Sequence, residues 1–147
     1  MKIDELDLKL ILALEEDARQ GSEALAKKFD CSSGTIRRRL SKLIKSGVLR
    51  IVALVNPAKV GFPIIVSILM NVSHNNLKAE AKSLRKNPNI TWVAITTGRF
   101  DLLTLAVFRS TKELSYFMDN TIAGIQGLTS IETWVWLDIK KGGWFSI

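Results

Sequence analysis

Residues 32–49, with the sequence SSGTIRRRLSKLIKSGVL, decide the fold of the first part of the chain. Their apolar side chains recur at the spacing of one face of an α-helix: Ile36, Leu40, Leu43 and Ile44. A hydroxyl group of Ser32 or Ser33 can accept a hydrogen bond from a free N–H at the helix start, and Gly47 tolerates the left-handed turn that follows a helix. The sequence therefore predicts a short helix with one apolar face.

The remaining surface of this predicted helix is cationic. It carries no acid, and its side chains are Thr35, Arg37, Arg38, Arg39, Ser41, Lys42 and Lys45. Residues 31–50 hold six Lys and Arg side chains, against a formal net charge of +7 for the whole 147-residue chain. Such a helix can pack on its own protein with one face and bind a polyanion with the other, although a charged helix face is often only solvated. Charge alone does not distinguish nucleic acid from a membrane surface.

Two further helices are predicted before the cationic one. The first has acids in its opening turn, where they complement the helix dipole, and its apolar residues are Leu6, Leu8, Leu10, Ile11, Leu12 and Leu14. Ser22 is predicted to cap the second, Glu23–Phe29, which only three residues separate from the cationic helix. This arrangement matches the helix-turn-helix, whose second helix reads base edges in the major groove of double-stranded DNA. Val48–Val55 is typical of a strand, so we expect the module to be winged.

The chemistry of this helix suggests how it would contact DNA. Lys and Arg side chains neutralise phosphates, and Arg can pair bidentately with guanine, so Thr35, Arg37 and Arg38 are the candidates for base edges. Arg39 would bond either the protein scaffold or a phosphate. The predicted DNA-binding residues are Ser32, Ser33, Thr35, Arg37, Arg38, Arg39 and Lys42.

The second half of the chain has strands and helices in the order βαββαβ. The predicted strands are Ile64–Val72, Ile90–Thr97, Leu102–Phe108 and Ile131–Ile139, and the predicted helices are Asn75–Lys86 and one capped by Thr111. This is the ferredoxin-like order, an antiparallel sheet with both helices on one face. Because the bare face would expose Trp134 and Trp136, we expect a homodimer to form through it; alternatively, these side chains complete a monomeric core.

The predicted fold is therefore α+β. A winged helix-turn-helix domain is expected in residues 1–60, and a ferredoxin-like domain for effector binding and oligomerisation in residues 61–147. Cys31, the single cysteine, cannot form an internal disulfide, and no apolar run reaches the roughly 18 residues of a transmembrane helix. The opening residues show no signal-peptide pattern. These features favour a cytoplasmic protein without a membrane partner.

Six short motifs, in their order and spacing, resemble those of the Lrp/AsnC family, the feast/famine transcription regulators. They are Leu6–Leu12 (LDLKLIL), Ala24–Ala26 (ALA), Ser32–Leu43 (SSGTIRRRLSKL), Gly47–Leu49 (GVL), Asn56–Gly61 (NPAKVG) and Gly98–Asp101 (GRFD). The resemblance covers nearly the whole chain. It implies a DNA-binding regulator of amino-acid metabolism that forms dimers through its sheets, often assembled into tetramers or octamers.

The resemblance also implies an amino-acid effector site near the Gly98–Asp101 turn and the loop before the last strand. The implied residues are Gly98, Arg99, Phe100, Asp101, Thr129, Ser130 and Thr133. Asp101 can accept from an ammonium group, while the Gly98 N–H and the hydroxyl groups before the last strand can donate to a carboxylate. Arg99 departs from the family, which often has a small polar or acidic residue there. Alternatively, Gly98–Asp101 is only a hairpin turn.

The main alternative function is a tetrapyrrole-binding enzyme of the same architecture, similar to the siroheme decarboxylases. Such chemistry would need a well-placed histidine, and the only one, His74, lies in a predicted loop. The sequence has no Cys/His cluster with metal-ligand spacing and no glycine-rich phosphate loop. We therefore expect neither enzymatic activity nor a metal or cofactor, apart from an amino-acid effector. A protein that only assembles or senses an effector is a third alternative, which the cationic helix disfavours.

Overall fold

Three helices form the first part of the chain: α1 (Glu5–Glu16), α2 (Ser22–Lys28) and α3 (Ser33–Lys45). The computed structural model describes residues 2–142, and contacts divide the chain into two compact units between Val52 and Ala53. The three helices of the first unit enclose an apolar core made of Leu10, Ala13, Leu14, Leu25, Ala26 and Ile36. The predicted helix-turn-helix is confirmed.

Side chains before α1 and α3 fix where these helices begin. The Asp7 N–H donates to Asp4 Oδ1 at 3.0 Å and the Asp4 N–H donates to Asp7 Oδ2 at 3.2 Å, which forms a capping box at α1. Ser32 caps α3, because its hydroxyl oxygen accepts from the Thr35 N–H at 3.1 Å. Both helix starts are therefore set by local hydrogen bonds.

The second helix begins differently from the prediction. Gly21 occupies the N-cap position of α2 and forms no side-chain cap, while Ser22 is the first helical residue. The predicted Ser22 cap is therefore wrong. At the other end of the motif, Gly47 follows α3 with a φ of +73°, the left-handed conformation expected there.

The segment directly after α3, residues 48–54, contains no strand. Residues 48–54 have no strand pairing and Val55 forms an isolated bridge, so the predicted strand Val48–Val55 and its wing are wrong. An extended segment becomes a strand only when a neighbour pairs with its backbone over several residues, and among residues 2–142 this segment forms no such ladder. A 3-10 turn over Pro57–Val60 lies near the start of the second unit, before its sheet.

The second unit is a four-stranded antiparallel sheet with two helices. Its elements are β1 (Ile64–Val72), α4 (His74–Leu84), β2 (Ile90–Ile95), β3 (Leu102–Phe108), α5 (Thr111–Phe117), which continues into a π-helical turn (Met118–Ile122), and β4 (Leu128–Val135). The strand order across the sheet is β2-β3-β1-β4. The predicted βαββαβ order and α+β class are confirmed.

Both helices of this unit pack on the same face of the sheet. Val66, Ile68 and Met70 of β1 are fully buried there, in one core with Leu84 of α4 and Phe117 of α5. Strand residues alternate between the two faces, so the intervening positions form a face without helices, the open face. It is lined by Ile65, Ser67, Leu69, Trp92, Leu103, Leu105, Glu132 and Trp134.

Several element boundaries differ from the predicted ones. Ser110 rather than Thr111 caps α5, because its hydroxyl oxygen accepts from the Glu113 N–H at 3.2 Å. β4 covers Leu128–Val135 rather than Ile131–Ile139, since its pairing with β1 determines its extent. In the same way β2 ends at Ile95 and α4 begins at His74, each one or two residues from the expected position.

Candidate DNA-binding face and effector site

Helix α3 is anchored to the first unit through one apolar face. Ile36 and Leu43 are fully buried, and Leu40 packs against the core. Because residues at these spacings lie on one side of a helix, positions on its opposite side face solvent. The packing of α3 therefore determines which side chains it can present to a ligand.

Four exposed cations lie on the outer surface of α3, which we call the α3 face: Arg37, Arg38, Lys42 and Lys45. Within residues 2–142, none of them forms an ion pair. Three of them line a shallow groove of about 740 Å³ together with Lys2. The α3 face is thus a positive surface on a helix, and the acids nearest to it, Asp4 and Asp7, are paired with Arg39.

The predicted DNA-binding residues at the start of α3 have structural roles as well. The hydroxyl groups of Ser32 and Thr35 lie 2.9 Å apart and hydrogen-bond to each other. Ser33 is the first helical residue and is half-buried. A hydroxyl oxygen has two acceptor lone pairs, so Thr35 can contact a base or phosphate while it also orders the helix start.

Lys45 and Lys2 were not among the predicted site residues. Lys45 lies two helical turns after Arg38, at a spacing that places both on one side of the helix, so periodicity alone could have identified it. Lys2 lies outside the predicted helix, and its place beside Arg38 and Lys42 depends on the tertiary fold of the unit.

Arg39 points into the first unit rather than toward the α3 face. Its Nη1 donates to Asp4 Oδ2 at 2.6 Å and to Asp7 Oδ1 at 2.8 Å, which joins α3 to the start of α1. The Arg39 side chain is 25% exposed and that of Asp7 only 7%. Of the two roles considered for Arg39, this geometry favours bonding to the scaffold.

The pairing of Arg39 with these acids shifts two pKa values. The hydrogen bond from Arg39 lowers the pKa of the Asp4 carboxyl group below its ordinary value of 3.8, and the Asp7 N–H lowers it further. The hydrogen bonds to Asp4 and then Asp7 raise the pKa of the Arg39 guanidinium. The fold therefore stabilises the charged forms of Asp4 and Arg39.

In the second unit, Asp101 ties the turn after β2 to the end of β1. Its Oδ2 accepts from the Val72 N–H at 3.2 Å, and its own N–H donates to the Met70 carbonyl oxygen at 3.1 Å. The Asp101 Oδ1 atom has no hydrogen bond among the described residues. One carboxylate oxygen thus serves the fold, and the other can accept from a ligand.

Asn71 connects the two segments in which effector residues were expected. Its Oδ1 accepts from the Asp101 N–H at 3.2 Å, and its Nδ2 donates to the Ser130 hydroxyl at 2.8 Å. The hydroxyl of Thr129 donates to the Asn71 carbonyl oxygen at 3.2 Å. Asn71 was not predicted as a site residue, although a half-buried amide in the apolar strand IIVSILMNV needs hydrogen-bond partners and could have been noticed.

Arg99 is paired within the chain. Its Nη2 lies 2.5 Å from Glu132 Oε1 on the open face, and its guanidinium carbon lies 5.2 Å from the centre of the Phe100 ring. The Arg99 side chain is largely exposed, so this pair is accessible from solvent. A ligand carboxylate that approached Arg99 would therefore compete with Glu132.

Thr133 lies apart from the other predicted effector residues. In the register of β4 against β1, Ser130 lies opposite Asn71, whereas Thr133 lies opposite Ile68. The side chain of Ile68 is in the core that the helices cover. Because alternate strand residues point to opposite faces, Thr133 and Ser130 lie on different faces of the sheet. The structure brings together Gly98–Asp101, Thr129 and Ser130 through Asn71, but not Thr133.

Comparisons with known domains match both units. Residues 3–44 match the AsnC-type helix-turn-helix domain, and residues 65–143 match the Lrp/AsnC ligand-binding domain. The chain belongs to the Lrp/AsnC family of transcriptional regulators. As a member of this family it is a DNA-binding transcriptional regulator.

Relatives of similar length align along nearly the whole chain. An HTH-type transcriptional regulator of Pyrococcus furiosus is 31% identical over 143 residues, which are 97% of each protein. The HTH-type transcriptional regulator FL11 of the same organism is 30% identical over 140 residues, 95% of this chain and 92% of the relative. These relatives are named as transcriptional regulators, and they give no support to the alternative of a tetrapyrrole-binding enzyme.

Solved structures have the same fold. E. coli AsnC superposes with a TM-score of 0.86 at 26% identity, with 97% of both chains covered. A Neisseria meningitidis transcriptional regulator in complex with L-Met superposes with a TM-score of 0.85 at 24% identity, covering 96% of this chain and 94% of that one. Within residues 2–142, no helix has the length and apolar character to cross a membrane, and no three His, Cys, Asp or Glu side chains are placed to hold a metal ion.

Proposed function

We propose that the α3 face enters the major groove and that Arg38, with Arg37 and Thr35, contacts base edges. Lys42, Lys45, Ser32 and Ser33 then contact phosphates, while Arg39 holds α3 in position. The observation that carries this proposal is the set of four exposed cations on one helix face, without acidic partners among the described residues. Bidentate Arg–guanine pairs contribute about 1–3 kcal/mol of discrimination between bases.

Substitution of Arg38 tests this assignment. A duplex that the parent protein selects from a random pool and a shuffled duplex of the same composition serve as probes. We expect Arg38→Ala to reduce the preference for the selected duplex by about 5-fold to 100-fold, with a smaller effect on the shuffled one. The matched control is Arg19→Ala, an exposed arginine of the same unit that pairs with Asp17. An unchanged preference in Arg38→Ala would remove Arg38 from base recognition.

We further propose that an amino acid acts as the effector at the turn containing Asp101. Its ammonium group is accepted by Asp101 Oδ1, and its carboxylate receives the Gly98 N–H and displaces Glu132 from Arg99. The free Asp101 oxygen and the exposed Arg99 support this arrangement, as does the ligand-binding domain to which these residues belong. The L-Met complex of the Neisseria protein indicates the chemical class of the ligand.

Asp101→Asn separates the structural and ligand roles of this residue. The amide oxygen still accepts from the Val72 N–H, but the negative charge that an ammonium group needs is lost. We expect calorimetry with a panel of amino acids to detect binding to the parent and at least about 10-fold weaker binding to Asp101→Asn. Thr133→Ala is the control, because Thr133 lies on the opposite face. No heat with any amino acid for the parent would reject the effector proposal.

We propose that two chains associate through the open face, and that such dimers assemble into tetramers or octamers. Trp92 and Trp134 are 52% and 54% exposed there, beside the apolar Leu69 and Leu103. An exposed apolar sheet face of this kind is commonly covered by a second copy of the chain. Trp134→Glu is expected to shift the sedimentation of the protein toward the monomer, whereas Tyr116→Glu, at an exposed position on α5, should leave it unchanged.

A cytoplasmic location is proposed together with this function. A regulator of this family acts on chromosomal DNA, and the single thiol of Cys31 requires no oxidising compartment. Fractionation of cells followed by detection with an antibody tests it, with recovery in the cytosolic fraction as the expected result and recovery in the membrane pellet as the contrary one.

A further inference from the structure

The second unit carries more of the net positive charge than the first. Residues 53–147 hold ten Lys and Arg against six Asp and Glu, a net charge of +4 out of the +7 of the whole chain. The α3 face therefore does not account for the basic character of the protein by itself. Four of the ten cations lie close together in sequence: Lys78, Lys82, Arg85 and Lys86.

Three of these cations form a line on α4, which we call the α4 stripe. Lys78, Lys82 and Arg85 are four and then three residues apart, so they lie on one side of the helix, and Lys86 follows immediately. With a rise of 1.5 Å per residue, the stripe extends over about 10 Å. All three side chains are exposed.

The position of the α4 stripe is fixed by the packing of the helix. Leu84 is buried in the core of the second unit, and Leu77 and Ala81 pack against that core. Lys82 and Arg85 border a groove of about 420 Å³ whose other side is Val93 and Ile95 of the edge strand β2. The stripe is thus presented on a rigid element, as the α3 face is.

No acid compensates the stripe. Within residues 2–142, none of its cations forms an ion pair. Glu80, the one acid in the sequence of α4, accepts from the Gln126 N–H at 3.3 Å through Oε1, a contact with the loop before β4. By contrast, Lys9 on α1 pairs with Glu5 at 2.7 Å, and Lys28 on α2 lies 3.8 Å from Glu16.

Like charges four residues apart on a helix repel each other and destabilise it. A partner that supplies a line of negative charge would relieve this repulsion. Duplex DNA carries one phosphate per about 1.7 Å of its axis, so a 10 Å stripe faces several phosphates at once. DNA is also the polyanion that this regulator already holds, so no separate partner is required.

We infer that the α4 stripe is a second DNA-binding surface, which contacts the phosphates of duplex DNA without reading its sequence. Lys78, Lys82 and Arg85 each neutralise a phosphate, and the second unit thereby adds to the affinity that the α3 face provides. This role goes beyond the proposed function, in which the first unit alone binds DNA and the second binds the effector and a second copy of the chain.

The test compares two triple variants of the full chain that remove the same charge from the same unit. Lys78→Gln/Lys82→Gln/Arg85→Gln removes the stripe, whereas Lys59→Gln/Lys112→Gln/Lys141→Gln removes three exposed lysines from other places. Dissociation constants are measured at several KCl concentrations on a selected and a shuffled duplex of about 60 base pairs, long enough for several helical turns. Circular dichroism and thermal unfolding check that both variants fold.

The slope of log affinity against log salt is the decisive quantity. Each lost phosphate contact lowers the magnitude of this slope by about 0.9. We therefore expect the slope of the stripe variant to be smaller in magnitude by about 2 to 3 per bound protomer. We also expect the stripe variant to bind at least about 10-fold more weakly at about 0.1 M salt. Both duplexes should be affected by the same factor, so the preference for the selected one is kept. Lys78→Arg/Lys82→Arg/Arg85→Lys, which retains the charge, should keep the parent slope.

Two outcomes would overturn the inference. If the stripe variant and the control variant have the same salt slope, the α4 stripe does not contact DNA, and its groove would instead suit an acidic extended peptide that pairs with the edge strand β2. If the stripe variant loses sequence preference as well as affinity, the stripe is not a sequence-independent contact. A failure of α3 recognition would be seen separately, in the Arg38→Ala variant.

Discussion

Arg39 of α3 and Asp7 of α1 are joined by a hydrogen-bonded ion pair of 2.8 Å between Nη1 and Oδ1, across a separation of 32 residues in sequence. Asp7 is almost completely buried and also caps its own helix through Asp4. A charge in this position needs its partner, because an unpaired buried charge is strongly unfavourable. The pair therefore links the orientation of α3 to the start of α1.

Removal of Arg39 should loosen α3 without removing a DNA contact. We expect Arg39→Met to raise the rate of hydrogen exchange in peptides from residues 33–45 and to lower the thermal midpoint of the first unit by several degrees, on the order of 5 °C. Arg37→Met is the matched control, since Arg37 is exposed on the same helix and makes no ion pair within residues 2–142. Equal exchange rates in the two variants would contradict a positioning role for Arg39.

The lowered pKa of Asp4 predicts how the first unit responds to acid. A carboxyl group whose pKa is lower in the folded state stabilises the fold above its ordinary pKa of 3.8, and this contribution is lost as the pH falls through the folded value. Asp4→Asn keeps a good N-cap but removes the charge. The urea midpoint of the parent should therefore be higher than that of Asp4→Asn at about pH 6, and this difference in midpoint should become smaller at about pH 3.

The measurement is circular dichroism at the helix band, with Glu15→Gln as the comparison. Glu15 lies on the same helix and forms no hydrogen bond or ion pair among the described residues. The difference in urea midpoint between Glu15→Gln and the parent should stay small at both pH values. If the difference in urea midpoint between the parent and Asp4→Asn is larger at about pH 3 than at about pH 6, the ion pair with Arg39 does not stabilise the folded state.

Gly127 lies where a side chain would collide with the loop after β1. An added Cβ would overlap the Ser73 hydroxyl oxygen and lie 2.9 Å from Ser73 Cβ, and φ at Gly127 is +74°. Gly61 also has a positive φ, +96°, but open space around it. We expect Gly61→Ala to cost about 1 kcal/mol of unfolding free energy, from conformation alone, and Gly127→Ala about 1–3 kcal/mol more.

Tryptophan fluorescence in urea reports this difference, because the four tryptophans of the chain all lie in the second unit. Equal losses in the two variants would mean that Ser73 moves aside freely and that the contact at Gly127 imposes no constraint on the fold.

Local signals predicted much of the fold correctly. Ser32 caps α3 and Gly47 ends it because both act through the backbone of their own turn, which sequence patterns capture. Leu102–Phe108 was predicted with its exact bounds, since a continuous apolar run between turns is typical of a buried strand. The predicted caps of α2 and α5 were each one residue too late in the sequence. At both helix starts two adjacent residues suit the cap position, Gly21 and Ser22 at α2 and Ser110 and Thr111 at α5, and local preference does not distinguish them.

Features that depend on distant partners were not predictable. The segment Val48–Val55 has the composition of a strand but forms no ladder among residues 2–142 beyond the isolated bridge at Val55, and composition does not reveal which segments pair. The register of β4 against β1 placed Thr133 away from Ser130, which the family resemblance could not indicate. The two roles open to Arg39 could be distinguished only by the fold, which brings Asp4 and Asp7 to it.

The proposed recognition of DNA requires that the α3 face lie in the major groove. Guanine N7 is exposed in the major groove and adenine N3 in the minor groove. Dimethyl sulfate methylates both nitrogen atoms, so a methylation footprint on the selected duplex shows which groove the protein covers. We expect the parent protein to protect guanine N7 at the bound site, and Arg38→Ala to lose protection at one or more of these guanines. Protection confined to adenine N3, or a footprint that Arg38→Ala leaves unchanged, would contradict the proposed recognition.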